Sequence, residues 1–368
     1  MPVDFTGIQT VNVPVAKAVD FARRAFAAGG VPDEDAQRAA GALVDADVQG
    51  ISTHGIKNLS GYVRAVRDGK VNSHPTIRQT GGAGALARMT GDNGLGHVAA
   101  YRGMQHAIEL ASEHGVGCVF MAHSNHYGAS GYWARLAVKA GMGGFAVTNA
   151  SASIAAWGGT APIVGNNPPA WAVPTFSEDG TAYEPGYEMP DSVYLDMALS
   201  VVAGNRLDIY ARRGLPIPPT WALDKEGNAS TDARVRSKGG TFAPIAEYKG
   251  FGLALLLSLF TSVLSGGMFD DEQIEAARAG EQANRAHWFM AIDVQRLLPR
   301  EKFGQRVREI AGRIRAGSRK QGVDALYVPG DMERSRARRQ MKDGLDYEAF
   351  IVEDLKVLAK TLDIAVDL

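Results

Sequence analysis

The chain has 368 residues, 45% hydrophobic and 21% charged, with 39 basic side chains against 40 acidic ones and a formal net charge of −1. A chain of this length can hold two domains and a large core, and without a tail of one sign it has no electrostatic footprint for nucleic acid. Its single cysteine, Cys118, excludes an intramolecular disulfide and leads us to expect a reducing, cytoplasmic setting.

Met1 to Phe5 lack a basic segment followed by an apolar run, so no signal peptide is expected. Val15, Ala18, Val19, Ala22, Ala25 and Phe26 recur at helical spacing up to Gly29-Gly30. Pro32 opens a second helix; Asp33, Glu34 and Asp35 lie in its first turn, where the helix dipole favours carboxylates, and Ala39, Leu43 and Ala46 mark its buried stripe. His54, Asn58 and Tyr62 follow at i, i+4 and i+8, which on a helix places them on one face, while Ile56, Leu59, Val63 and Val66 form an apolar stripe on another. One face is then free to line a cleft. Thr53-His54-Gly55 reads as the start of that helix, Gly61 allows close approach, and Asn72 to Pro75 closes a mostly helical segment.

From Thr76 the pattern changes to short apolar strands, glycine turns and helices, an α/β block. Strands are expected at Gly84 to Met89, Val116 to Met121, Gly144 to Thr148, Pro169 to Val173 and Val193 to Met197, and helices at Leu95 to His114 and Tyr132 to Ala140. No Gly-x-Gly-x-x-Gly follows a strand, and Gly91 to Gly96 has the wrong spacing, so an ordinary Rossmann domain is not supported.

The stretch from Met121 to Gly131 concentrates chemistry, setting two histidines, Asn125 and a glycine turn between a strand and a helix. His126 is the candidate proton donor or acceptor, because imidazole is the side chain whose unperturbed pKa, about 6.5, lies nearest working pH. The competing reading is a pair of structural histidines satisfying turn amides. A metal pair, His123-x-x-His126, lacks a third ligand in the loop, so no metal is expected.

Phe176 to Asp191 reads as a polar excursion before regular structure resumes at Val193 to Ser200. Phe251 to Leu264 is the most apolar helix, shorter than the ~20 residues a bilayer requires, and is expected to be a core helix ended by Gly266-Gly267. Lys249, just before Gly250-Phe251-Gly252, suits a phosphate at a helix N-terminus. A helix through Phe303, Val307, Ile310 and Ile314, a strand at Ala325 to Val328, a Pro329-Gly330 turn and a helix with Phe350, Ile351, Leu355 and Leu358 on one face complete the chain. The arginines between Arg306 and Arg339 alternate with acids, as on a solvated face.

Thr53-His54-Gly55-Ile56-Lys57-Asn58-Leu59 with Tyr62, Ser124 to Gly128, Thr148-Asn149, Trp157-Gly158-Gly159, Gly165 to Pro168, Leu195 to Ala198, Ile217-Pro218 with Trp221-Ala222 and Asp224, Lys249 to Gly252 and Pro329-Gly330 together resemble the malate/L-lactate dehydrogenase family that lacks a Rossmann fold. Its other members include ureidoglycolate dehydrogenase, 2,3-diketogulonate reductase and piperideine-2-carboxylate reductase.

The resemblance implies a homodimer that transfers hydride between NAD or NADP and a 2-oxo or 2-hydroxy acid, or reduces a cyclic imino acid, with neither nucleic acid nor membrane as partner. It implies a helical domain, residues 1–75 with 246–288, and a non-Rossmann α/β dinucleotide-binding domain, residues 76–245 with 289–368. By the same resemblance His126 and His54 are the catalytic histidines; Thr53, Asn58 and Tyr62 meet the substrate; and Asp196, Met197, Ala198, Leu199, Ser200, Lys249, Gly250, Pro329, Gly330 and Asp331 hold the dinucleotide. The chain departs from the family at Thr53, where serine is usual, and at Asn58, where an arginine would anchor a carboxylate. A substrate held by neutral donors, or by Lys57 or a basic residue elsewhere, is therefore expected, with dicarboxylates disfavoured.

Overall fold

The computed structural model describes residues 9–176, 191–282 and 284–368, so the polar excursion lies largely outside the described residues. Strand β1 (Thr10–Val13) leads into helices α1 (Val15–Ala28) and α2 (Asp33–Val48), which start after Pro14 and Pro32 as the acidic first turn of α2 foretells. Two 3₁₀ turns, Ser52–His54 and Ile56–Asn58, precede α3 (Leu59–Arg67). His54, Asn58 and Tyr62 are thus not on one helix face, as the spacing suggested, because Gly55 is extended and breaks the helical run. Ile56, Leu59, Val63 and Val66 are buried nonetheless.

A hairpin, β2 (Arg78–Ala83) and β3 (Leu86–Thr90), begins the main sheet, followed by α4 (Gly96–His114), β4 (Val116–Ser124), α5 (Ser130–Lys139), β5 (Gly143–Thr148), β6 (Ile154–Ala155), β7 (Pro162–Val164), β8 (Pro169–Pro174) and β9 (Ser192–Asp196). Next come α6 (Gly204–Arg212), β10 (Ala222–Leu223), β11 (Thr241–Phe242), α7 (Tyr248–Ser258), α8 (Glu272–Ala279) and β12 (Arg285–Ile292). Then α9 (Arg300–Arg315), α10 (Asp331–Asp343), β13 (Leu345–Glu348) and α11 (Ala349–Leu362) follow. The main sheet has the order β2-β3-β4-β12-β5-β8-β9, parallel only between β3 and β4. The expected strand at Ala325 to Val328 is absent; the segment is extended, and its turn is tied to β9 through Tyr194 N–H donating to the Pro329 carbonyl.

Alternating strand residues feed two cores. Ala146, Phe289 and Ala291 join α1–α5, α10 and α11, whereas Phe145, Val147, Trp288 and Met290 join β6, β7, β11 and α7. The 248–264 segment therefore packs into the second core, away from the N-terminal helices with which the sequence grouped it. Nor is it a fully buried helix. It passes into a π-helical turn at Leu259–Val263, and Leu256, Val263 and Leu264 are each more than half exposed.

Candidate active site

A cleft of about 570 Å³ opens where the 53–62 segment meets the ends of β4, β5 and β12. Thr53, His54, Asn58, Tyr62 and His126 all line it, so the two polar constellations of the sequence converge. His126 stands between β4 and α5, at the strand-to-helix junction where the sequence put it. Gly96 lets α4 start directly beneath it, since a Cβ there would come within 2.3 Å of the His126 carbonyl oxygen.

Tyr62 Oη lies 2.5 Å from His126 Nδ1, with the rings 16° from parallel. The His54 ring also stacks with His126, at 5.6 Å between centroids and 18°, and its Nδ1 meets Thr53 Oγ1 at 2.8 Å. Burial pushes His126 well below its ordinary pKa, and the nearby His54, His97 and Arg285 act in the same direction. Burial likewise lowers His54 to about 4, with Lys57 assisting, and raises Tyr62. At neutral pH the cleft thus holds two neutral imidazoles and a neutral phenol. His97, missed by the sequence reading, supports them from below: it is fully buried, meets Tyr62 edge-on at 4.9 Å, and is lowered to about 3 by burial and His54.

Asn58 does not stand in for an anchoring arginine. Its Nδ2 donates to the carbonyls of Thr53 and Gly55, at 3.1 and 3.2 Å, and so is spent inside the turn. Lys57 lines a different groove, beside Asp47 and Tyr347. The cation in the cleft wall is Arg285, which the sequence reading passed over. It opens β12 at a bulge next to His287, the sort of irregularity that re-aims a side chain. Its Nη2 donates to Ser151 Oγ at 3.0 Å, while Nη1 is buried with no hydrogen-bond partner among the described residues. Burial lowers Arg285 to about 10, partly offset by the Asp270 carboxylate. A guanidinium nitrogen with no partner, on a residue of the cleft wall, suits a carboxylate. The short apolar run Trp288-Phe289-Met290-Ala291-Ile292 was the available signal for its strand.

His123 is turned away from His126: it has φ +55 and is held by Asn284, with backbone N–H to Oδ1 and Nδ1 at 3.2 Å from Nδ2. No group of three potential metal ligands occurs among the described residues.

None of the residues expected to hold the dinucleotide is among the described residues that line the cleft. Asp196 accepts the Gly131 N–H at the start of α5 at 2.7 Å, and burial raises its carboxyl to about 6. Met197 N–H donates to Pro169 O and Leu199 N–H to Asn166 O; Ala198 lies between them, and Ser200 Oγ donates to Val202 O. Lys249 is exposed at the start of α7, its backbone N–H donating to the Ala246 carbonyl and its ammonium 5.9 Å from the centre of the Tyr248 ring, and Gly250 is buried against the Ile245 carbonyl. Ala246 and Glu247, just before it, both have positive φ, a costly conformation often kept at ligand clamps. Pro329, Gly330 and Asp331 lie outside the cleft wall; Asp331 receives Arg315 at 2.9 and 2.7 Å. The cleft lined by His126 would take the nicotinamide end and the exposed Lys249 would offer a charge for phosphates, while Asp331 is already engaged by arginine.

The family pattern described as malate/L-lactate dehydrogenase matches residues 13–356. Malate dehydrogenase of Pyrococcus horikoshii is 33% identical over 361 residues, covering 96% of each chain. L-sulfolactate dehydrogenase of Methanothermobacter thermautotrophicus is 31% identical, covering 97% of this chain and 99% of its own. The crystal structure of malate dehydrogenase from Entamoeba histolytica aligns with a TM-score of 0.90 at 26% identity, covering 98% of this chain and 100% of its own.

Proposed function

Because the chain belongs to the malate/L-lactate dehydrogenase family, we propose that this cleft interconverts a 2-oxo and a 2-hydroxy acid, with Arg285 holding the substrate carboxylate and His126 handling the proton. The chain is an oxidoreductase dependent on NAD or NADP, and the bound nicotinamide supplies or takes the hydride. The observation that carries the residue assignment is the unpartnered Nη1 of Arg285, a residue that lines the same cleft as His126.

Burial chiefly keeps His126 neutral, and an anionic substrate paired with Arg285 offsets that cation's lesser share, which eases protonation of the ring once substrate is in place. It can then give its proton to the oxygen on which charge develops during reduction, and the neutral ring takes that proton back in the other direction. With Nδ1 protonated and donating to the Tyr62 hydroxyl in both states, Nε2 is the ring atom that gives the proton and takes it back. His54, Thr53 and Asn58 shape the opposite wall, and we assign them to orienting the substrate. The segments Asp196 to Ser200, Lys249-Gly250 and Pro329 to Asp331 are assigned to the dinucleotide.

Arg285 is the only Lys or Arg among the described residues lining the cleft, which favours a monocarboxylate over a substrate with two acidic groups. The exposed apolar run of Leu256, Leu259, Phe260, Val263 and Leu264 favours a homodimer joined across this face, which sedimentation would test. The lone Cys118, half-buried in β4, is in keeping with a reducing, cytoplasmic location.

The test is NADH and NADPH oxidation against pyruvate-like monocarboxylates, oxaloacetate and cyclic imines, using wild type and His126→Asn. Turnover with a 2-oxo monocarboxylate, reduced roughly 10²–10⁴-fold in the variant, is expected. Near wild-type turnover in the variant overturns the role of His126. Preference for oxaloacetate overturns the single-anion reading.

A further inference from the structure

The loop that brings Thr53, His54 and Asn58 to the cleft is short and irregular, so something must hold it. His54 N–H donates to Ile51 O and Asn58 N–H to Gly55 O, which leaves Gly55 as the joint between two tight turns. Behind this joint lies Asp47, on the last turns of α2 and buried. Its Oδ2 accepts the Ile56 N–H at 2.7 Å and the Tyr347 O–H at 3.0 Å, bridging the loop to β13. A Cβ built on Gly55 would lie 1.7 Å from Asp47 Oδ1. The backbone there, φ −86 and ψ −161, is open to any residue, so glycine is required by the carboxylate and not by conformation.

We propose that Asp47 is a positioning residue whose carboxylate, seated against Gly55, locks the two turns that present His54 and Asn58 to the cleft. The inference rests on the reductase reading only for its catalytic consequence; the lock itself is a property of the fold. It uses a group that none of the proton or hydride steps requires.

The carboxyl is faced by Lys57 from its own loop and by Tyr347 from β13. Asp208 and Arg212 from α6, Arg336 from α10, and Asp346 and Glu348 around β13 line the same groove. Burial raises Asp47 to about 7, opposed by the Ile56 and Tyr347 hydrogen bonds and by Lys57. Ionised, it accepts both donors strongly; protonated, it accepts them more weakly, so the lock tightens as pH rises through neutrality. Neither His54, lowered to about 4, nor His126, held well below its ordinary range, titrates near 7 in the free protein.

The test uses the full chain, with Asp47→Asn keeping the volume and Gly55→Ala keeping the charge while displacing it. Hydrogen exchange of the Ile56 amide, measured without substrate at pH 8, should speed up at least tenfold in both variants. With the best 2-oxo acid, kcat/KM should fall at least tenfold at unchanged dinucleotide affinity, and an acidic limb near pH 7 should disappear in Asp47→Asn. Wild-type exchange at Ile56 in both variants overturns the lock. Faster exchange with unchanged kcat/KM overturns its role in positioning. If no acid turns over even in the wild type, the reductase reading fails, while the exchange result still decides the lock.

Discussion

Tyr62 and His126 form a 2.5 Å hydrogen bond between side chains that come from opposite sides of the cleft, a helix after two 3₁₀ turns and the loop that ends a central strand. The phenol is the imidazole's one side-chain hydrogen-bond partner among the described residues, so its removal reports directly on the proton step. Tyr62→Phe keeps the stacked ring and deletes the hydroxyl. Turnover in the reductive direction is expected to fall about 10–100-fold with dinucleotide affinity unchanged. Steady-state kinetics with both ligands varied would check it; an unaffected kcat would leave Tyr62 as packing alone.

Arg285 gives a different signature. Arg285→Gln leaves a substrate carboxylate without its countercharge, a loss of about 2–5 kcal/mol in buried, hydrogen-bonded pairs, which appears as a KM increase of roughly 10²-fold or more. Arg285→Lys should recover only part of this, because an ammonium cannot match the two carboxylate oxygens at once. A lysine variant indistinguishable from wild type would place the anchor elsewhere.

His54, His97, His126 and His287 are all held below their ordinary pKa, in each case chiefly by burial. A histidine depressed in the folded state lends stability that is complete above its unfolded pKa of about 6.5 and is lost as pH falls toward the folded value. The folded values are about 4 for His54 and about 3 for His97 and His287. Unfolding free energy should therefore drop by up to roughly 3 kcal/mol per pH unit between pH 6 and 4, four histidines outweighing the Asp47 and Asp196 carboxyls, whose raised pKa values act the other way. Urea titrations at half-unit steps would show it; a flat midpoint over this range would mean that water reaches these rings.

Asp47 has the opposite sign. Its folded pKa, about 7 against 3.8, means that its contribution is complete below 3.8 and is lost as pH rises through 7. At pH 8 the ionised group costs the fold on the order of a few kcal/mol, a cost the neutral amide does not carry. Asp47→Asn should accordingly melt no lower than wild type at pH 8, and higher where the amide keeps one acceptor on Ile56, even as its kcat/KM falls. A melting temperature several degrees below wild type would show that the ionised carboxylate is worth more to the fold than its burial costs.

His126 was legible because its neighbourhood is local: an apolar strand, a polar turn and a helix within about twenty-five residues announce a junction side chain. His54, Asn58 and Tyr62 were read into the right company by the wrong geometry. Helical spacing presumes a continuous helix, and the break at Gly55 depends on Asp47, a carboxylate no local pattern points toward. Arg285 was harder still. Its strand lies between β4 and β5 only through antiparallel pairing with residues more than a hundred positions earlier, and the preceding helical stretch drew its first residues into a helical grouping. The apolar run at Phe251 to Leu264 told its composition truly but not its exposure, because sequence apolarity does not distinguish a core from a face awaiting cover.

The pairing of β1 with β13, Val13 against Leu345, has a consequence for how the molecule is made. Tyr347, on that last strand, supplies one of the two hydrogen bonds to Asp47, and α11 packs on α1 and α3. A chain emerging from the ribosome can pair β3 with β4 and pack α4 on β4 and α5 on β5 from contacts near in sequence, but β4 and β5 are joined only when β12 arrives between them. The wall bearing His126 is complete once β12 has been made. The wall bearing His54 is finished only after the final residues arrive, so a nascent chain halted before β13 should present the first wall without the second.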